Sequence, residues 1–109
     1  MESNQYVAVR EIIEQELIFS SAHDAYDQWF SALKIRINEL LLADFNKIIS
    51  ILYRLDIDEL RLAALLKVHP DIEAGQIIAE LIVERQLEKI RSRQAYRQDD
   101  SSIDESEKW

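Results

Sequence analysis

Apolar residues recur at helical spacing along most of this chain, and the longest such stretch covers residues 70–97. In its first half, the apolar side chains of residues 74–82 fall within one broad sector at about 100° per residue. Val83, Leu87 and Ile90 lie on roughly the opposite side of the same helix. This second stripe predicts a contact either with the N-terminal segment of the same chain or with a second copy of the protein.

Three shorter patterns occupy the first half of the chain. Residues 6–19 carry apolar side chains at helical spacing, although the VAV run within them would also suit a short strand. Residues 22–42 form a continuous apolar face, with Ser21 as the predicted N-cap. Residues 44–55 are either a separate helix capped by Asp44 or a bent continuation of the preceding one. Their apolar side chains cover well over half of the helix circumference.

A fourth short helix is predicted at residues 57–68, where Asp56 and Glu59 have the spacing of a capping box. From Leu60 onward this helix is apolar almost all round. A helix without a polar side is either central in the fold or covered by a partner. It ends before Pro70, because the residue preceding proline is steered out of the helical conformation.

The turn-forming residues define the fold class. The chain has one glycine and one proline, whereas hairpins and β-sandwiches need many turn residues. Together with the short connections, this predicts an all-α antiparallel bundle of four to five helices. Residues 1–98 would form one helical domain, and the acidic, serine-rich residues 99–109 a disordered tail.

Charge and composition narrow the possible environment and partners. The formal net charge is −8, which argues against sequence-independent binding to nucleic acid or anionic lipid. The chain contains no cysteine, so disulfides and thiolate chemistry are excluded, and a reducing compartment fits. No apolar run approaches the roughly 18 residues needed to cross a bilayer, and the first residues lack the features of a signal peptide. We therefore expect a soluble, cytoplasmic protein.

Two clusters of residues have side chains that could support metal binding or catalysis. His23 and Asp27 are one helical turn apart, but a zinc site normally needs three or four protein ligands. Glu80, Glu84 and Glu88 repeat every fourth residue without the Glu-x-x-His pattern of di-iron bundles, so they predict a solvated charged face. No residue pattern in the sequence identifies a nucleophile, a positioned general base or a phosphate-binding loop. We expect no catalytic residue, metal, cofactor or small-molecule ligand, and no enzymatic activity.

One basic concentration lies near the end of the long helix, at Arg85, Lys89, Arg91, Arg93 and Arg97. Cations at this position stabilise the last turns of a helix by complementing its dipole. They could also bind phosphate or an acidic partner. The second interpretation predicts a regulator that contacts nucleic acid or another polyanion through the segment Arg85–Arg97.

The function predicted from the apolar surface is a non-enzymatic protein–protein interaction module that self-associates, as a dimer. Two features support it: the all-round apolar short helix and the second stripe of the long helix. The predicted partner interface consists of five residues from these two elements: Leu62, Leu65, Val83, Leu87 and Ile90.

Overall fold

Five α-helices make up the computed structural model, which describes residues 1–21 and 25–102, with the side chains of residues 97–102 excepted. In chain order the helices are α1 (Ser3–Leu17), α2 (Tyr26–Ala43), α3 (Phe45–Arg54), α4 (Glu59–Val68) and α5 (Ala74–Ser102). Within the described ranges there is no strand. The predicted all-α bundle of four to five helices is confirmed. Most of the predicted acidic tail, residues 103–109, lies outside the described part of the chain.

The apolar pattern left open whether residues 6–19 are helix or strand, and whether residues 44–55 form a separate helix. The structure answers both questions. The first segment is a helix and not a strand, and its buried stripe is Val9, Ile13 and Leu17. Asp44 separates α2 from α3, and its carboxylate accepts a hydrogen bond from the Lys47 backbone N–H at 3.1 Å. An N-cap of this kind satisfies a donor that the new helix would otherwise leave unpaired. Residues 26–54 are therefore two helices.

Two predicted helix starts were wrong. The helix expected from residue 22 begins at Tyr26, and its N-cap is Ala25 instead of Ser21. The helix expected from Pro70 begins at Ala74. The reason is a turn in which the Ile72 N–H donates to the His69 carbonyl at 3.2 Å, so the first helical acceptor is the Glu73 carbonyl.

The predicted cap of the fourth helix was wrong, because Asp58 takes that place instead of Asp56. Asp58 caps α4, where its carboxylate accepts the Leu60 and Arg61 N–H groups. Asp56 instead ends α3 in the left-handed region, at φ 59°. Its N–H donates to the Tyr53 carbonyl, and the next N–H donates back to the Leu52 carbonyl. This is the Schellman pattern, which satisfies the last carbonyls of a helix.

Helix α5 is the centre of the bundle, and it packs against α1, α2 and α4. Its first stripe contributes Ile77, Ile78 and Ile82 to the core, and its second stripe contributes Val83 and Ile90. Both sides of α5 are therefore covered within one chain. Further contacts join α1 to α2 and α2 to α3.

Gly75 lets α5 approach α2 closely near the start of the long helix. It is buried, and a Cβ built on it would lie 2.7 Å from Cγ of Asn38. An alanine at this position would therefore force the Asn38 amide to move. The absence of a side chain at this position therefore permits the close contact between α5 and α2.

Ile18 provides a test of backbone strain. It ends α1 in the left-handed region, at φ 51° and ψ 60°, with 65% of its side chain exposed. Left-handed backbone costs a non-glycine residue about 1–2 kcal/mol, and β-branched residues tolerate it poorly. Because the Ile18 side chain is mostly exposed, removing it costs little buried apolar surface. We therefore expect Ile18→Gly to raise the free energy of unfolding by about 1 kcal/mol, as measured by urea denaturation.

The matched control is Ile35→Gly in the middle of α2, where the side chain is similarly exposed at 61%. Its backbone is helical, so the same substitution should lower the free energy of unfolding by roughly 0.5–1 kcal/mol. Equal decreases at both positions would show that Ile18 carries no backbone strain.

Candidate interaction surface

The five residues of the predicted partner interface are covered to different extents within the chain. Val83 and Ile90 are buried in the core, with 6% and 7% of their surface exposed. Leu62, Leu65 and Leu87 are half-buried against that core. Of the two explanations for the second stripe, packing against the N-terminal segment of the same chain is what the structure shows. Val83 and Ile90 offer no surface to a second copy.

A partly buried hydrogen bond marks the same intramolecular contact between α1 and α5. The Gln5 side-chain amide donates to the Gln94 carboxamide oxygen at 3.2 Å. Gln5 is itself buried, with 6% of its surface exposed. A buried amide is stable only when its polar atoms have partners, so this pair fixes how α1 sits on α5.

Helix α4 is peripheral, although its sequence allowed a central position. None of its ten residues is buried. Leu62 and Leu65 face α5, and an ion pair of 2.8 Å between Arg61 and Glu84 joins the two helices. Its outer side is exposed, with 82% of Leu60 and 68% of Val68 accessible. The central position is thereby excluded, and an apolar helix face remains open on the surface.

Exposed apolar side chains are concentrated on α3 and α4. Single exposed apolar residues are normal on a protein surface, whereas a contiguous group of them marks a contact site. Phe45, Ile49 and Tyr53 follow each other at four-residue spacing along α3, so they lie on one side of that helix. Together with the exposed residues of α4 they make up the set that we call the α3–α4 surface, in which Ile49, Tyr53 and Leu66 line a common groove: Phe45, Ile49, Tyr53, Leu60, Leu66 and Val68.

A groove of about 260 Å³ runs between the two helices. Helix α3 packs chiefly on α2, whereas α4 packs chiefly on α5. The wall of the groove is apolar except for one carboxylate. The lining residues are Ile49, Leu52, Tyr53, Ile57, Glu59, Leu62, Ala63 and Leu66.

Counted along the sequence, the segment that contains α3 and most of α4 has balanced charges, in contrast to the chain as a whole. Residues 44–67 carry four acids and four bases, giving no net charge, while the chain carries −8. The acids are Asp44, Asp56, Asp58 and Glu59, and the bases are Lys47, Arg54, Arg61 and Lys67. This is therefore a part of the molecule that another acidic protein can approach with little repulsion.

The basic concentration on α5 is partly neutralised by nearby acids. Arg85 pairs with Glu88 at 3.2 Å, and Lys89 pairs with Asp56 of the α3–α4 connection. The Lys89 ammonium also holds the pKa of the Asp56 carboxyl below its ordinary value, chiefly through their hydrogen bond. Arg91 and Arg93 are exposed beside a shallow groove. The Arg97 side chain lies outside the described residues.

The other two candidate clusters are the glutamate repeat of α5 and the pair His23 and Asp27. Where the structure describes them, their side chains are ordinary surface groups. Glu84 pairs with Arg61 and Glu80 accepts from the Gln76 amide, so the four-residue glutamate repeat is a charged outer face. Glu88 pairs with Arg85 of the same helix. His23 lies outside the described residues. Elsewhere in the described chain, no group of three or more metal-binding side chains converges.

Among the described helices, none combines the length and the apolar character that crossing a membrane requires. Comparison of the chain with models of protein families, with curated proteins and with solved structures gives no match to any of them.

Proposed function

We propose that the protein is a non-enzymatic protein-interaction module that self-associates through the α3–α4 surface. The observation that carries this proposal is the state of α4, a helix apolar almost all round in which no residue is buried. Burying one Leu or Phe side chain completely stabilises a protein by roughly 1.5–3 kcal/mol. An exposed group of six such side chains is therefore a large reserve of free energy, available only when another surface covers it.

The proposed function is still self-association, as the sequence predicts, but different residues are proposed to form the contact. The predicted interface included Val83 and Ile90, which are already covered by the chain itself. The exposed row Phe45, Ile49 and Tyr53 replaces them, next to the half-buried Leu62 of α4. Leu62 stays in the proposed contact because it lines the groove.

Sedimentation equilibrium at micromolar concentration tests the proposal directly. A dimer would sediment at twice the chain mass of 12.8 kDa. Ile49→Glu places a charge in the groove wall, where contact would strip it of water. We expect this variant to raise the dissociation constant by more than about 100-fold, because buried unpaired charges cost several kcal/mol.

The control is Ile35→Glu, the same substitution at an exposed isoleucine of α2 outside the surface. It changes net charge equally and should leave the dissociation constant within about twofold. Far-UV circular dichroism confirms that both variants are folded. A wild-type protein that sediments at 12.8 kDa throughout this range, or equal effects of the two variants, would refute the proposal.

Binding to a polyanion through Arg85–Arg97 has weaker support. Two of its five cations, Arg85 and Lys89, are already paired with acids of the same chain. Phosphate binding draws on several free cations and an overall basic surface. The net charge of −8 opposes it.

A further inference from the structure

The charged residues of α4 indicate which molecule covers it. The helix contains three of them, Glu59, Arg61 and Lys67. Arg61 is paired with Glu84 of α5 at 2.8 Å. Glu59 and Lys67 have no ion-pair partner among the described residues. Helix α4 therefore carries one unpaired negative charge in its first turn, where Glu59 borders the groove, and one unpaired positive charge in its last turn.

This arrangement is self-complementary when two such helices lie antiparallel. A two-fold axis through the middle of α4 brings the first turn of each helix beside the last turn of the other. Glu59 of each copy then meets Lys67 of the other, so two ion pairs form from a single sequence feature. The helix dipoles are also opposed in this arrangement. A parallel pair would instead place like charges together at both ends.

The side chains at the midpoint of α4 permit that contact. Its ten residues, 59–68, span about 15 Å and are centred on Ala63 and Ala64. The distance between packed helix axes depends on the side chains at the crossing point, and alanine allows a short one. Leu60 and Val68 flank the centre on the exposed side. They would pack against the partner helix and against the methylene groups of Lys67.

Given the proposed self-association, we infer that its partner is a second copy of this chain, docked by antiparallel pairing of α4 with α4 about a two-fold axis at Ala63–Ala64, with reciprocal Glu59–Lys67 ion pairs. The balanced charge of residues 44–67 supports an identical partner, because an equally acidic second chain meets little repulsion there. The opposed charges at the two ends of the helix fix its orientation.

Charge-reversal variants, mixed in pairs, test this geometry at low ionic strength by sedimentation equilibrium. Glu59→Lys alone places Lys opposite Lys at both ends, and Lys67→Glu alone places Glu opposite Glu. We expect each to raise the dissociation constant about 10- to 100-fold. An equimolar mixture of the two restores both opposite-charge contacts, so it should associate within a few-fold of wild type. The double variant carrying both changes should also associate.

Net charge alone predicts a different result. Glu59→Lys reduces the magnitude of the charge from −8 to −6, and Lys67→Glu increases it to −10. General repulsion would therefore make the first variant associate more strongly than wild type. Weakening in both variants with recovery on mixing is the outcome specific to antiparallel α4 pairing.

A second measurement uses the absence of cysteine in the chain. Ala64→Cys places one thiol beside the proposed axis, and oxidation should link the two copies into a covalent dimer. Ser31→Cys, on the exposed side of α2, should give no such product above background. A wild-type dimer that is insensitive to both charge reversals, and does not cross-link through position 64, would overturn the α4 pairing while leaving self-association intact. A wild-type monomer would overturn both.

Discussion

Replacing Trp29 by alanine is expected to remove about 3–5 kcal/mol from the free energy of unfolding. Trp29 is completely buried. Its ring lies 5.8 Å from that of Tyr6, 6.0 Å from that of Tyr26 and 6.3 Å from that of Phe19, measured between centroids. Its indole N–H donates to the Glu14 carboxylate at 3.2 Å. The substitution would leave a cavity and remove one of two donors from that oxygen, which also accepts from Arg10 Nε at 2.9 Å.

Such a loss is a large fraction of the 5–15 kcal/mol that stabilises a typical domain. Urea denaturation followed by far-UV circular dichroism measures it without depending on tryptophan fluorescence. Trp29→Phe should cost less, since most of the apolar volume stays. The control is Tyr96→Ala on α5, where 66% of the side chain is exposed, with an expected change within about 0.5 kcal/mol. Similar losses for Trp29→Ala and Tyr96→Ala would contradict the aromatic cluster as a main source of stability.

Gln86→Leu is expected to lower the free energy of unfolding by about 1–3 kcal/mol. The Gln86 side chain is buried, with 3% of its surface exposed, and its amide donates to the Leu55 carbonyl at 3.1 Å. That carbonyl lies at the end of α3, where the helix no longer supplies donors. Leucine has nearly the same volume, so the expected loss comes from the unpaired carbonyl and not from a cavity.

The control for this prediction is Gln76→Leu on the same helix. Its amide donates to Glu80 at the surface, where water can replace the bond. Urea denaturation should show a change within about 0.5 kcal/mol. If Gln86→Leu behaves like Gln76→Leu, then the bond from α5 to the end of α3 contributes little to the fold.

The helices were predictable from the sequence because their apolar residues repeat at one period, but their orientation was not. Helix α3 shows why. Apolar side chains cover more than half of its circumference, and spacing alone cannot identify which of them face inward. The structure buries Ile48, Ile51 and Leu52 and leaves Phe45 and Ile49 exposed. The direction in which α3 leaves the break at Asp44 determines this choice.

The candidate site was harder to predict than the fold. The sequence singled out α4 as a helix that is apolar almost all round, and in the structure none of its ten residues is buried. The sequence could not distinguish Val83, which is buried by other helices, from Leu60, which is left open. Both are apolar residues on apolar helix faces. Contacts between residues far apart in the chain make the difference, and periodicity contains no information about them.

The contact between Gln5 and Gln94 joins residues 89 positions apart, and α5 is the helix on which α1, α2 and α4 all pack. During synthesis on the ribosome, the first four helices therefore emerge before the element that completes their core. The apolar faces of these four helices therefore remain partly exposed until α5 has been synthesised. We expect the chain to avoid aggregation only if α5 packs soon after it is synthesised, or if another protein covers the apolar faces until then.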